Sequence, residues 1–270
     1  MRPVIRIDDP DDPRLAVFRD VRERDLVGRD GGFIAEGVVV LEKLLAAGRH
    51  PLDCVLVAEQ RAEALARLLA RVPDGLPVYV AAQPAMDRLT GFHIHRGVLA
   101  AGRRTELTAE ALLAGMPVRA LVVGLMGIAN HDNMGGLFRN AAAFGADAVL
   151  IDDTCCDPLY RKAIRVSVGA ALTTPFARAG SAEALAGQLA AAGFTLLALT
   201  PAGNTTLAEL TPSARVAALF GAEGPGLPAA VIARAQRVAI TMAGGFDSLN
   251  VATASGIVLH HLATGRIPGS

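Results

Sequence analysis

From residue 118 onward, short apolar runs alternate with segments of helical periodicity, and this alternation restricts the fold more than any other feature of the chain. The runs fall at 119–125, 147–151, 194–199, 215–220 and 237–242. Helical spacing falls at 133–144, in a stretch ending near 170, at 228–235 and at 248–263. A strand buried on both faces reads as a near-continuous apolar run, and parallel neighbours need a crossover between them, usually a helix. The pattern therefore predicts an α/β fold with a mostly parallel sheet covered on both faces.

A smaller alternation precedes it. Residues 13 to about 46 have a helical pattern, interrupted at Gly31–Gly32, in which FIAEGVVVLEKLLAAG carries Val38, Leu41, Leu44 and Leu45 on one face and stops at Gly48. CVLVAE (54–59), PVYVAA (77–82) and 97–101 read as strands, and 62–72 and 85–89 as helices. The segment 101–117 is polar and then weakly helical, as a linker would be. The expected organisation is a first domain at 1–104, a linker at 105–117 and a second domain at 118–270.

With 270 residues, 52% of them hydrophobic, the chain has enough apolar material for two cores. Its 26 basic and 26 acidic residues cancel, so nucleic-acid binding cannot rest on bulk charge and must use local patches. The three cysteines, Cys54, Cys155 and Cys156, form neither a disulfide framework nor a metal knuckle, which predicts a reducing cytoplasm and no metal. The opening MRPVIRIDDPDDP lacks the apolar core of a signal peptide, and no run of 18 apolar residues occurs, so no membrane association is expected.

Three segments carry residues that a plain scaffold would not choose. In NHDNMGGLFRNAAAFG (130–145), Met134, Leu137, Phe138 and Ala141 form an apolar stripe, with Asp132 as the expected cap. Gly135 and Gly136 each cost roughly 1 kcal/mol against alanine in a helix, and Arg139 lies outside the stripe. In ALFGAEGPGLP (218–228) a strand runs into Gly221, Gly224 and Gly226, a turn whose backbone can approach a ligand. It is not the dinucleotide fingerprint G-x-G-x-x-G, and Glu223 inside it disfavours a phosphate. In AITMAGGFDSLNVATASGIVLHH (239–261), Ser248 is placed to cap a helix beginning near Leu249, with Asn250 in its first turn. Small residues from Ala252 to Gly256 suit close helix contact.

In order and spacing, Asn133-x-Gly135-x-x-x-Arg139, Gly221-x-Glu223-Gly224-x-Gly226-Leu227 and Ser248-Leu249-Asn250-Val251 resemble the three motifs of the SpoU (TrmH-type) RNA ribose 2′-O-methyltransferases of the SPOUT superfamily. IRVSVGA (164–170) is similar to the family's segment between the first two motifs, and the N-terminal unit to the small ribosomal-protein-like substrate-binding domain that often precedes them. The resemblance implies a trefoil-knotted methyltransferase domain, a homodimer, and an RNA substrate, tRNA or rRNA. It implies S-adenosylmethionine as cofactor, held by Leu199, Thr200, Phe220, Gly221, Ala222, Glu223, Gly226, Ile240, Met242, Ser248, Leu249 and Asn250. Arg139, Asn133, Glu223, Ser248 and Asn250 are the implied catalytic set. Two departures stand out: Ala222 where the family often has asparagine, and Arg96 where it has glutamine in H-Q-G-V. A catalytically silent RNA-binding member of the same fold is the alternative, which the presence of Arg139, Glu223 and Asn250 disfavours. For RNA contact the basic candidates are Arg19, Arg22, Arg24 and Arg29, then Arg96, Arg103 and Arg104, then Arg161, Lys162 and Arg165.

Overall fold

A computed structural model of the chain describes residues 3–19, 31–91, 93–94, 96–244 and 248–264. They fall into two compact units, Met1–Thr105 with Leu159–Thr173, and Glu106–Pro158 with Thr174–Ser270. The expected boundaries, 1–104 and 118–270, differ from this in two respects: residues 106–117 belong to the second unit, and residues 159–173 leave the second stretch of sequence and pack with the first unit.

The first unit contains β1 (Ile5–Arg6), a 3₁₀ turn at Pro13–Phe18, β2 (Gly32–Glu36), α1 (Val38–Ala47), β3 (Leu52–Ala58), α2 (Glu59–Ala62), α3 (Ala66–Leu69), β4 (Val78–Ala81), α4 (Gln83–Thr90) and β5 (Val98–Arg103). The strands form one mixed sheet in the order β1-β4-β3-β5-β2, with β5 antiparallel to both of its neighbours. FIAE is strand β2 and not part of a helix. Phe33, Ile34 and Ala35 are buried in succession, as only a strand covered on both faces allows, and Gly37 at φ +103° ends it before α1 begins. The expected helix at 62–72 is two short helices, α2 and α3, separated by a turn.

The second unit holds α5 (Ala109–Ala114), β6 (Ala120–Leu125), α6 (His131–Ala143) and β7 (Ala148–Ile151). The chain then passes through α7 (Arg161–Val166) and α8 (Ala170–Thr173) of the first unit. It returns with β8 (Phe176–Arg178), α9 (Ala182–Ala191), β9 (Thr195–Leu199), β10 (Thr205–Thr206), β11 (Arg215–Phe220), α10 (Ala229–Ile232), β12 (Gln236–Ala239) and α11 (Val251–Ala263). Its seven strands run in the order β10-β12-β9-β11-β6-β7-β8, and every pair is parallel. The α/β class and the parallel sheet agree with the sequence pattern. The pattern overlooked α9 because its sequence, AEALAGQLAA, is mostly alanine and makes a weak apolar stripe. The segment called a linker begins inside β5 and contains α5.

The chain steps outward from β6 to β8 on one side, then reappears at β9 with β11 between it and β6. The order therefore reverses beside β6, and ligands of open parallel sheets bind at such a reversal, beyond the carboxyl ends of the strands. Met134, Leu137, Phe138 and Ala141 of α6 are fully buried, as their spacing predicts. Each large one of these stabilises the fold by about 1.5–3 kcal/mol relative to exposure.

The motif IRVSVGA has a structural explanation within the first unit. Ser167, fully buried, donates its hydroxyl to Ile164 O (2.9 Å) and accepts from Ala171 N (3.2 Å), joining α7 to α8. Val168 (φ 53°) and Gly169 (φ +80°) make the turn between them, with Gly169 against Val40 of α1. Arg161 donates to Glu36 at 2.7 Å, and both side chains are largely buried. Removing one partner of such a pair leaves an uncompensated charge, at a cost of roughly 3–5 kcal/mol. Glu36→Gln should accordingly lower the stability of the first unit by an amount of that order, read as a shift in its urea midpoint.

His50 supplies a pH dependence in the same unit. Its ring packs edge-on against Phe33 with centroids 5.5 Å apart, and Nδ1 accepts from Thr105 N (3.1 Å). Burial first, and then the charges of Arg49 and Arg104, push its pKa down from 6.5 to about 4. The unfolded chain therefore binds a proton that the folded one refuses. This contribution to stability is complete above pH 6.5 and is lost as pH falls toward 4. Urea midpoints should decline across that window, and the decline should shrink in His50→Gln.

Candidate functional site

The first motif begins on a pinned loop. The buried Asp152 carboxylate accepts from Gly127 N (3.2 Å), Thr154 N (3.1 Å), the Thr154 hydroxyl (2.9 Å) and Cys155 N (2.9 Å). That anchors residues 127–130 between β6 and α6. The cap of α6 is Asn130 and not Asp132: its side chain accepts from Asp132 N (2.7 Å) and Asn133 N (3.3 Å). Asn130 lies just before the first helical residue, where its oxygen faces the free amides of the opening turn, whereas Asp132 already lies within that turn.

The second motif is a closed turn. Gly226 N donates to Ala222 O (3.0 Å), and Gly224 (φ +86°) and Gly226 (φ +71°) take conformations that favour glycine. A Cβ on Gly221 would run into the Gly226 carbonyl carbon and the Leu227 nitrogen. Ala222 packs against Gly127, whose own Cβ would stand 3.1 Å from the alanine methyl. The departure from asparagine at this position therefore places a compact side chain between the first and second motifs.

The third motif starts α11, and here too the cap differs from expectation. Asn250 rather than Ser248 is the N-cap, accepting from Ala252 N (3.0 Å) and Thr253 N (3.3 Å). Its amide nitrogen donates to Asn133 Oδ1 (2.9 Å) and to Glu223 Oε1 (3.1 Å). One carboxamide thus joins all three motifs, although Asn133, Glu223 and Asn250 are far apart in sequence.

A cavity of about 430 Å³ opens beside this junction, beyond the ends of β9, β11 and β12. Leu199 and Thr200 line it from β9, and Phe220, Gly221, Ala222, Glu223 and Gly226 from the β11 turn. Ile240 and Met242 line it after β12, and Ser248, Leu249 and Asn250 at the start of α11. Every residue named for cofactor contact thus faces one space. Sequence reasoning missed Pro201, Gly224, Val238 and Ala254, which also line it. Pro201 and Gly224 adjoin named positions, whereas Val238 and Ala254 reach the space from within β12 and the first turn of α11, which only the packing of those elements decides. Of the implied catalytic set, Asn133 and Arg139 do not line the cavity. Asn133 is buried and reaches it through Asn250, whereas Arg139 is exposed on α6 and its side chain has no hydrogen bond or ion pair among the described residues.

The size of the cavity is in the range of small-molecule and cofactor sites. Among the described residues that line it, Glu223 is the one charged side chain, so the cavity suits a cationic ligand and opposes a phosphate.

Comparison with known proteins agrees with this architecture. The model of the SpoU rRNA Methylase family matches residues 120–260. A Mycobacterium bovis protein named as an uncharacterized tRNA/rRNA methyltransferase is 44% identical, over 95% of this chain and 93% of its own. Among solved structures, an AdoMet-bound rRNA methyltransferase from Sinorhizobium meliloti superposes with a TM-score of 0.83 at 24% identity, covering 98% of this chain and 99% of that one. An RNA 2′-O ribose methyltransferase superposes with a TM-score of 0.79 at 27% identity, covering 97% and 99%. With a family match across more than half of its length and a near full-length relative, the chain belongs to the SpoU rRNA methylase family.

Proposed function

We propose that this protein transfers a methyl group from S-adenosylmethionine to a ribose 2′-hydroxyl of tRNA or rRNA. The observation that carries the proposal is the Asn133–Asn250–Glu223 junction at the cavity, which unites the three family motifs. A silent RNA-binding relative would not need that junction intact. The 2′-hydroxyl as acceptor is further supported by the likeness to a structure described as an RNA 2′-O ribose methyltransferase, and the choice of tRNA or rRNA by the names of the relatives.

The residues present fit the cofactor. Glu223 suits a sulfonium cation, and Gly221 lets the β11 turn close on Gly226 and Leu227, which forms one wall of the cavity. When bound, S-adenosylmethionine supplies an electrophilic methyl group. Leu199, Thr200, Phe220, Ile240, Met242 and Leu249 would enclose it, while Asn250 holds Glu223 and the start of α11 in place. Ser248 stands exposed at the cavity rim. Arg139 is assigned to the RNA. A guanidinium presents N–H donors and no acceptor lone pair, so it does not serve as a base. Its role is to hold a flanking phosphate and stabilise charge developing on the 2′-oxygen.

The first unit is assigned to RNA recruitment, through local charge because the net charge is zero. Arg103, exposed at the end of β5, is ion-paired with Asp53 (2.9 Å), and Arg104 follows it. Arg161 is committed to Glu36, which leaves Arg165 exposed on α7 and Arg96 exposed beside Gly37. Arg22, Arg24 and Arg29 lie outside the described residues. A homodimer is assigned to the face of α11, where Ile257 remains exposed at 41%. The knotted topology is assigned to the region where Gly203 presses on the β12 backbone at Val238–Ala239. A cytoplasmic location suits an RNA substrate, and among the described residues no helix is long and apolar enough to cross a membrane.

Incubation with labelled S-adenosylmethionine and bulk tRNA or rRNA, followed by nucleoside mass spectrometry, should yield a 2′-O-methylated nucleoside; a base-methylated product would overturn the reading. Arg139→Ala should lower methyl transfer at least about a hundredfold, with cofactor affinity nearly intact. Gly221→Ala should instead weaken cofactor binding at least about tenfold by calorimetry, because the turn must open to admit the methyl group.

A further inference from the structure

The two interhelical glycines and an asparagine between them form a lock that the three motifs do not include. A Cβ on Gly136 of α6 would stand 2.7 Å from the Ala252 methyl of α11, so the helices approach too closely for any other residue there. One turn later, Asn140 Nδ2 donates to Ala252 O (2.6 Å) and to Ser255 Oγ (2.9 Å), and the Ser255 hydroxyl donates in turn to Ala252 O (2.8 Å). Ala252 O can only accept, so the nitrogen of the carboxamide must face it. Ser255 is fully buried, and Gly256 makes room for the amide, its Cβ position lying 3.4 Å from Asn140 Nδ2.

Both ends of this lock lead to the site. Asn140 follows Arg139 directly, and Ala252 stands two residues after Asn250, in the turn whose start lines the cavity. We propose that Asn140 is a positioning residue: through Ala252 and Ser255 it sets the separation of α6 from the first turn of α11, and so the place of Arg139 relative to the cavity. Its catalytic consequence rests on the methyl-transfer reading above; its structural consequence does not. Misplacement of a reacting group by about 1 Å can cost on the order of a hundredfold in rate, and buried polar networks fix such geometry because a half-satisfied one is costly.

Asn140→Leu keeps the size of the side chain and removes both donors, and Ser255→Ala removes the second partner. In the full chain carrying Asn140→Leu, amide hydrogen exchange at Ala252 and Thr253 should quicken at least about tenfold. Turnover should fall about tenfold or more while the KM for S-adenosylmethionine stays within about threefold. In an Arg139→Ala background the same substitution should cost less than about twofold further, since the residue it positions is gone. If Asn140→Leu does not fold, Ser255→Ala carries the same three measurements. Unchanged exchange would overturn the proposal, and so would equal losses with and without Arg139, which would make Asn140 a general stabiliser. If the unsubstituted chain methylates no RNA, the methyl-transfer reading falls, and the exchange result alone decides the lock.

Discussion

The Asn250 carboxamide is the contact on which the site depends. Its oxygen caps α11, and its nitrogen is shared between Asn133 at the start of α6 and Glu223 in the turn after β11. A carboxamide offers two donor hydrogens and an acceptor on one rigid plane, so it can serve three segments at once. A carboxylate there could cap the helix but not donate to Glu223, and a hydroxyl has a single hydrogen to give. The chemistry of the residue type, more than its burial, explains its place in the motif.

That contact requires the strands beneath it to end together. β9, β11 and β12 are adjacent in the sheet and parallel, so their carboxyl ends open on the same side. Small residues then let the backbone close around the space: Gly221 where the turn folds back on Gly226 and Leu227, and Gly136 where α6 meets α11. The glycines that weaken the helix in isolation are repaid in close packing, which answers the local rule they break.

The interleaving of the two units has a separate physical basis. α7 and α8 lie between β7 and β8 in sequence, yet they pack on β2 and α1 of the first unit, with Arg161 paired to Glu36 and Gly169 set against Val40. A chain that leaves one unit and returns to it ties the two at two further points besides the 105–106 connection. A cut at residue 105 would strip α7 and α8 of their packing surface and expose Ala163 and Ile164, both fully buried.

Much of this protein was readable in its sequence. Continuous apolar runs separated by helical periods specify a parallel sheet, because only strands covered on both faces tolerate such runs, and the stripe Met134, Leu137, Phe138 and Ala141 specifies the buried face of α6. The spacing of Gly221, Glu223 and Asn250 marked residues that do meet, since glycine turns and polar helix starts have local signatures. The caps fell two residues away from expectation, to Asn130 and Asn250, because Asp132 and Ser248 are equally competent by residue type and only the path of the chain chooses between them. FIAE became a strand, and 159–173 joined the first unit, because partners distant in sequence decide both: β5 in one case, Glu36 and α1 in the other. The sequence by itself determined which segments alternate and which residue types could do chemistry, since periodicity and local hydrogen bonding are short-range. Tertiary structure alone decided that one carboxamide joins three motifs and that Asn140 holds two helices together, since the bonds from α6 to α11 span more than a hundred residues and exist only once the sheet brings their ends together.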